Sequence, residues 1–119
     1  MGTIAVDFDG VIHAYGKGWQ DGTIYDLPMP GALDGLRTLM ETYAVYIHTS
    51  REVEQVVPWL EQYGFEVTGD DRGLTFWNDT GIVLVTNRKL PALAYIDDRG
   101  IRFESWPQAL VVLGEVLGA

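Results

Sequence analysis

The sequence predicts a single α/β domain built on a parallel sheet, with the functional edge at the strand carboxyl ends. Strand-like and helix-like segments alternate along the chain, which implies right-handed crossovers between parallel strands. The first strand-like run, Thr3 to Phe8, is short and apolar with β-branched members, as a strand buried on both faces requires. Polar residues distant in sequence (Asp7, Asp9, Thr49, Ser50, Asp97 and Asp98) all fall where strands end, the edge at which such sheets bind ligands.

The first strand closes on Asp9-Gly10, a turn signal. Val11–Tyr15 and Thr23–Asp26 read as two short strands around the Gly-rich stretch Gly16 to Gly22, which predicts a small β-hairpin flap. Pro28-Met29-Pro30-Gly31 breaks the chain. Ala32, Leu33, Leu36, Leu39 and Met40 then repeat at helical spacing and predict an amphipathic helix over Ala32–Thr42. Tyr43–His48 reads as a second buried strand, closed by Thr49-Ser50-Arg51. A second helix is predicted over Glu52–Tyr63, with Val53, Val56, Val57 and Leu60 as its apolar face, Pro58 inside it and Gly64 at its end. Ser is a favoured N-cap, so Ser50 is expected to cap this helix.

Phe65–Thr68 predicts a third strand, and Leu74–Trp77 and Ile82–Val85 two more around Asn78-Asp79-Thr80-Gly81. Leu93–Ile96 reads as a strand ending in Asp97-Asp98, and Trp106–Leu117 as an apolar helix packed on the sheet. No internal repeat or linker interrupts the 119 residues, so residues 1–119 form one domain.

Composition narrows the function classes. Apolar residues make up 47% and charged residues 21%, the balance of a globular chain. A net charge of −9 repels a phosphate backbone and makes nucleic acid an unlikely partner in the absence of a local basic patch. Without cysteine there is no disulfide, thiolate zinc site or cysteine nucleophile. No apolar run reaches the roughly 20 residues that span a bilayer, and Met1 leads straight into a strand without a basic signal-like region. A soluble cytoplasmic protein with no membrane partner is the expectation.

Asp7 and Asp9, two positions apart at a strand end, can point to the same side, and Asp97 joins them from another strand. Carboxylates so close repel unless a cation lies among them. Their all-oxygen chemistry favours Mg²⁺, which also polarises phosphoryl oxygens. A carboxylate nucleophile forms an acyl-phosphate and divides one hard displacement into two easier ones. Asp9 is then the acid/base group for the leaving oxygen and the attacking water. Thr49 or Ser50 donates a hydrogen bond to the phosphoryl group, and Lys89 supplies a fixed positive charge. His48 is read as a packed strand residue, and with only His13 as companion it suggests no histidine metal site. Arg51 is expected to stabilise its loop through carbonyl contacts, with contact to substrate as the alternative. Trp19 and Trp77 are read as hairpin packing aromatics that also have the option of stacking on a base or sugar at the site.

These residues carry a resemblance. Asp7-Phe8-Asp9-Gly10-Val11 resembles the first motif of the haloacid dehalogenase superfamily, and Tyr46-Ile47-His48-Thr49-Ser50-Arg51 is similar to its second. Asn87-Arg88-Lys89-Leu90-Pro91 resembles the third, and Ala94-Tyr95-Ile96-Asp97-Asp98 the acidic fourth, all in family order. The resemblance implies a three-layer Rossmann-like domain with a parallel central sheet, a small flap after the first strand and no full cap domain. It implies Asp7 as nucleophile and Asp9 as general acid/base with its backbone carbonyl on magnesium. Thr49 and Lys89 become phosphate-binding groups, with Ser50 and Gly10 beside the substrate. Asp97 becomes a magnesium ligand, and Asp98 acts on the metal through water or orients Lys89. An acid at position 9 implies phosphatase rather than dehalogenase chemistry. Three features depart from the family pattern: Val11 stands where Thr is usual; Lys89 lies only eight positions before Asp97, without room for a helix between the third and fourth motifs; and the segments after Asp9 and after Thr68 are too short for a full cap domain.

The expected function is therefore Mg²⁺-dependent hydrolysis of a phosphomonoester, with a nucleotide or other small phosphate ester as substrate. A phosphatase acting on a polynucleotide end or phosphoprotein is a second reading. A non-catalytic phosphate-binding or phospho-receiver-like module is a third. A receiver needs its accepting Asp after the third strand, where Asp70-Asp71 is a weak candidate.

Overall fold

The computed structural model describes residues 2–70, 73–97 and 105–117. Five strands, β1 (Thr3–Asp7), β2 (Ala44–His48), β3 (Val67–Gly69), β4 (Val83–Thr86) and β5 (Ala94–Ile96), form one sheet in the order β3-β4-β2-β1-β5. Every pairing is parallel. Among the described residues three helices complete the fold: α1 (Ala32–Met40), α2 (Val53–Glu61) and α3 (Trp106–Leu117). The α/β class and the parallel sheet are as the alternating pattern predicts, and α3 has the predicted bounds.

Alternation along each strand divides the core in two. Ile4, Val6, Val45, Ile47, Val83, Val85, Ala94 and Ile96 face one cluster, which includes Leu36 and Leu39 of α1, Val56 and Leu60 of α2, and Trp106 and Ala109 of α3. Ala5, Ala44, Tyr46 and Leu84 face the other, where Trp77 and Leu90 cover them with Leu74, Ile82 and Ala92. The three helices of the described residues thus share one face, and residues 73–82 and 87–93 cover the second. This corrects the expected three-layer sandwich. The chain moves from β1 through β2 to β3 in one direction and turns back for β4 and β5. Right-handed connections put the returning segments on the opposite face. They carry no 3.6-residue apolar period, so they cover that face without forming a helical layer.

Three further expectations differ. Leu74–Trp77 forms no strand. The segment after β1 is a loop and not a hairpin, touching the rest through isolated bridges Asp9 to His13 and His13 to Pro28. Left-handed backbone at Tyr15 (φ 57°), Gly18 and Gly22 turns this loop repeatedly, and a regular ladder cannot run through such turns. Side chains replace the ladder: Tyr25 Oη accepts from Lys17 N–H and donates to Gly18 O, while the Asp26 carboxylate accepts from Gly16 N–H. At the start of α2 the N-cap is Glu52, with no side-chain capping bond, so Ser50 does not cap it.

The helical side is tightly fitted. A Cβ on Gly35 of α1 would lie 2.4 Å from Trp106 Cε3, so only glycine admits the indole there. That indole is 1% exposed and donates from Nε1 to Val11 O at 2.9 Å, anchoring α3 to the loop that follows Asp9.

Candidate active site

Register decides which polar side chains meet. Asp7 ends β1 opposite His48, which ends β2, and His48 lies opposite Thr86, which ends β4. Asp7 continues the Thr3-Ala5 side of β1, and His48 the Ala44-Tyr46 side of β2. Thr86 follows Leu84 in the same phase, and Asp97 follows Tyr95. The loop-covered face of the sheet therefore ends in a row of polar residues drawn from adjacent strands.

Asp7 stands at the centre of this row. Its Oδ1 is 3.8 Å from His48 Nδ1. Burial lifts its carboxyl above the ordinary value; the His48 imidazole and the Phe8 N–H oppose this, while the charges of Asp97 and Asp9 add to it. Lys89, on the loop crossing this face, places Nζ 3.8 Å from Asp97 Oδ2. No helix is needed between Lys89 and Asp97 because the loop passes directly over the sheet. Tyr46 fixes that loop: its hydroxyl donates to Leu90 O at 2.7 Å and accepts from Leu90 N–H at 2.8 Å, and Tyr95 Oη also donates to Leu90 O.

Asp9 is placed differently from the expectation that it shares a cation with Asp7. Both its carboxylate oxygens lie 3.0 Å from Arg51 Nε, and Oδ1 is 2.8 Å from His13 Nδ1. His13 is fully buried, and its Nε2 accepts from the Asp26 backbone N–H at 3.0 Å. An amide proton facing Nε2 fixes the neutral tautomer with hydrogen on Nδ1, so His13 donates to Asp9. A cation in reach 42 positions away took Asp9 from its sequence neighbour. Its charge is still felt at Asp7.

Arg51 is itself only 3% exposed and sends Nη1 to Gly22 O at 2.6 Å, a carbonyl contact of the kind expected. Thr49 is 2% exposed, its Oγ1 accepts from Arg51 N–H, and its own N–H donates to Thr86 O. Ser50 is exposed. Asn87 Nδ2 donates to Thr49 O and Arg51 O, each at 2.7 Å, and ties the β2 terminus to the β4 terminus. Gly10 has φ 80° with open space where a Cβ would stand, so it is a conformational requirement of the turn. Asp98 lies outside the described residues.

A second polar cluster closes the β3 edge. Asp70 Oδ2 accepts from Thr86 Oγ1 at 2.7 Å and from Arg88 Nη2 at 2.8 Å, and Arg88 Nη2 also reaches Leu74 O. Among the described residues no set of three Asp, Glu or His side chains has metal-holding geometry. Asp7 ends β1 and Asp97 follows the paired strand β5, close enough for its charge to act on Asp7; one or two carboxylates completed by water is a donor set of the kind Mg²⁺ takes.

Four contributors escaped the motif reading. His48 was placed beside Asp7 by its phase with Tyr46, a signal present in the alternation. The bonds of His13, of Asn87 and of the Asp70–Thr86 pair have no local signal, because each residue acts through a partner chosen by packing. Among the described residues no helix is long and apolar enough to cross a membrane. Compared with protein-family models, curated proteins and solved structures, the chain matches none.

Proposed function

We propose that this protein is a Mg²⁺-dependent phosphomonoester hydrolase in which Asp7 is the nucleophile. The reading is carried by the placement of Asp7 and Asp97 at the carboxyl ends of the paired strands β1 and β5, with Lys89 against Asp97. The superfamily resemblance of the four motifs adds to it. Magnesium, when bound, offsets the negative charge of a phosphate approaching these carboxylates. Asp7 and Asp97 would hold it, with the Asp9 carbonyl as a third oxygen.

An Asp7 carboxylate oxygen attacks phosphorus, the bond from phosphorus to the leaving oxygen breaks, and the Asp9 carboxyl gives that oxygen its proton. Water then attacks the aspartyl-phosphate, passes a proton to Asp9, and orthophosphate departs as the Asp7 carboxylate re-forms. An ion-paired carboxylate has no proton to give, so Asp9 takes this role only when its carboxyl leaves Arg51. Lys89 neutralises the equatorial oxygens. Thr49, buried and engaged with Arg51, acts through its hydroxyl proton.

A phospho-receiver is the poorer account. Asp70, at the end of β3, lies at the sheet edge and is already held by Thr86 and Arg88. The strand order β3-β4-β2-β1-β5 also differs from the 2-1-3-4-5 order of that architecture. The test is orthophosphate release from an aryl phosphate with Mg²⁺, with chelator, and in Asp7→Asn. Release that survives chelation or the substitution rejects the mechanism.

A further inference from the structure

We propose that the recess beside Trp19 binds a nucleobase, which makes the substrate a nucleoside monophosphate; this rests on the phosphomonoesterase reading above. Trp19 is 60% exposed, whereas Trp59, Trp77 and Trp106 are 8%, 7% and 1% exposed. It borders a recess of about 560 Å³ lined by Lys17, Trp19, Gln20, Asp21, Thr23 and Tyr25. The aromatic wall suits a flat ring, and the ammonium, carboxamide, carboxylate and hydroxyl around it offer the mixed donors and acceptors that a base edge presents.

The recess is coupled to the reacting groups through one side chain. The Arg51 guanidinium lies between two rings, with Cζ 5.2 Å from the Trp19 centroid and 5.6 Å from that of Tyr15. The same guanidinium grips Asp9 at 3.0 Å. Trp19 therefore stands within the span of one nucleoside from the Asp9 carboxyl. A cation against the ring draws on its π electrons, so a neutral base is favoured at Trp19 and a second cation is not.

Two further observations point to a ligand here. Arg51 Nη2 is buried and has no hydrogen-bond partner among the described residues, a desolvated donor that an arriving acceptor would satisfy. The loop also holds Tyr15 at φ 57°, and such backbone strain in a non-glycine residue concentrates at ligand sites. A base seated on Trp19 brings its sugar oxygens towards that nitrogen and leaves the phosphate facing Asp7.

Adenosine, which has no phosphate, tests the recess without any turnover. Titrated into the full chain, it quenches the solvent-exposed part of the tryptophan emission saturably, and Trp19→Ala abolishes the effect. Ribose 5-phosphate gives no such quenching. In turnover, adenosine 5′-monophosphate is preferred over ribose 5-phosphate in kcat/KM, and Trp19→Ala reduces that preference at least tenfold while Trp19→Phe restores it to within threefold. Adenosine binding without orthophosphate release from either ester keeps the recess and overturns the hydrolase reading. Release from both esters at equal kcat/KM, with no saturable adenosine response, keeps the hydrolase and overturns the nucleobase site.

Discussion

Replacing Tyr46 by Phe removes one oxygen from a side chain with no exposed surface, and its consequence follows from the bonds at Leu90. The hydroxyl both donates to Leu90 O and accepts from Leu90 N–H. Leu90 O keeps a second donor in Tyr95 Oη, so it stays satisfied. Leu90 N–H has no such reserve and becomes a buried donor facing a phenyl edge, at a cost of about 1–3 kcal/mol. With a midpoint shift of roughly 4 °C per kcal/mol for a domain of this size, Tm falls by about 4–12 °C. Urea unfolding should show a lower midpoint at unchanged slope, because the surface exposed on unfolding is the same. Tyr95→Phe is the internal comparison. It deletes a donation whose acceptor remains satisfied, so it should cost no more than about 1 kcal/mol. Equal effects of the two substitutions, or a loss below about 0.5 kcal/mol for Tyr46→Phe, would refute the reasoning. Because Leu90 adjoins Lys89, Tyr46→Phe should also raise KM for an aryl phosphate more than it lowers kcat.

Three other outcomes are expected. Asp7→Asn should raise the Tm of the metal-free protein at neutral pH, and in the presence of Mg²⁺ it should abolish orthophosphate release. The Asp7 carboxyl is raised on folding, so its stabilising contribution is complete below the unfolded value of 3.8 and is lost as pH rises through the folded one. The Tm gap between Asn and wild type should accordingly close below that pH, and a gap that widens there contradicts the assignment. Arg51→Met leaves Asp9 with His13 alone and should destabilise by about 2–3 kcal/mol in chemical denaturation, at the lower end for a buried pair because Asp9 is partly exposed. Gly35→Ala drives a methyl into the Trp106 ring and should cost a net of about 1–2 kcal/mol after the helix-propensity gain, whereas Gly114→Ala, with open space around it, should stabilise by about 0.5–1 kcal/mol.

The site was legible in the sequence as far as strand ends are legible. Asp7 and Asp97 terminate apolar runs that could be located from composition and period, and parallel pairing of β1 with β5 brings those ends together. Lys89 looked too close to Asp97 when an intervening helix was expected, and the short crossing loop removes that difficulty. Gly16 to Gly22 is turn-rich whether the segment is a hairpin or a loop. Only the positions of the left-handed residues separate the two.

Local pattern by itself determined the α/β class, the approximate limits of the helices and the placement of acids at strand ends, because period and turn chemistry act over a few residues. Tertiary structure alone decided that β4 lies between β2 and β3, that all three helices share one face, and that Asp9 belongs to Arg51 and His13. Alternation sets the phase within a strand, but no local rule sets register between strands or the partner a buried charge finds. Those follow from which surfaces the whole chain can bury together.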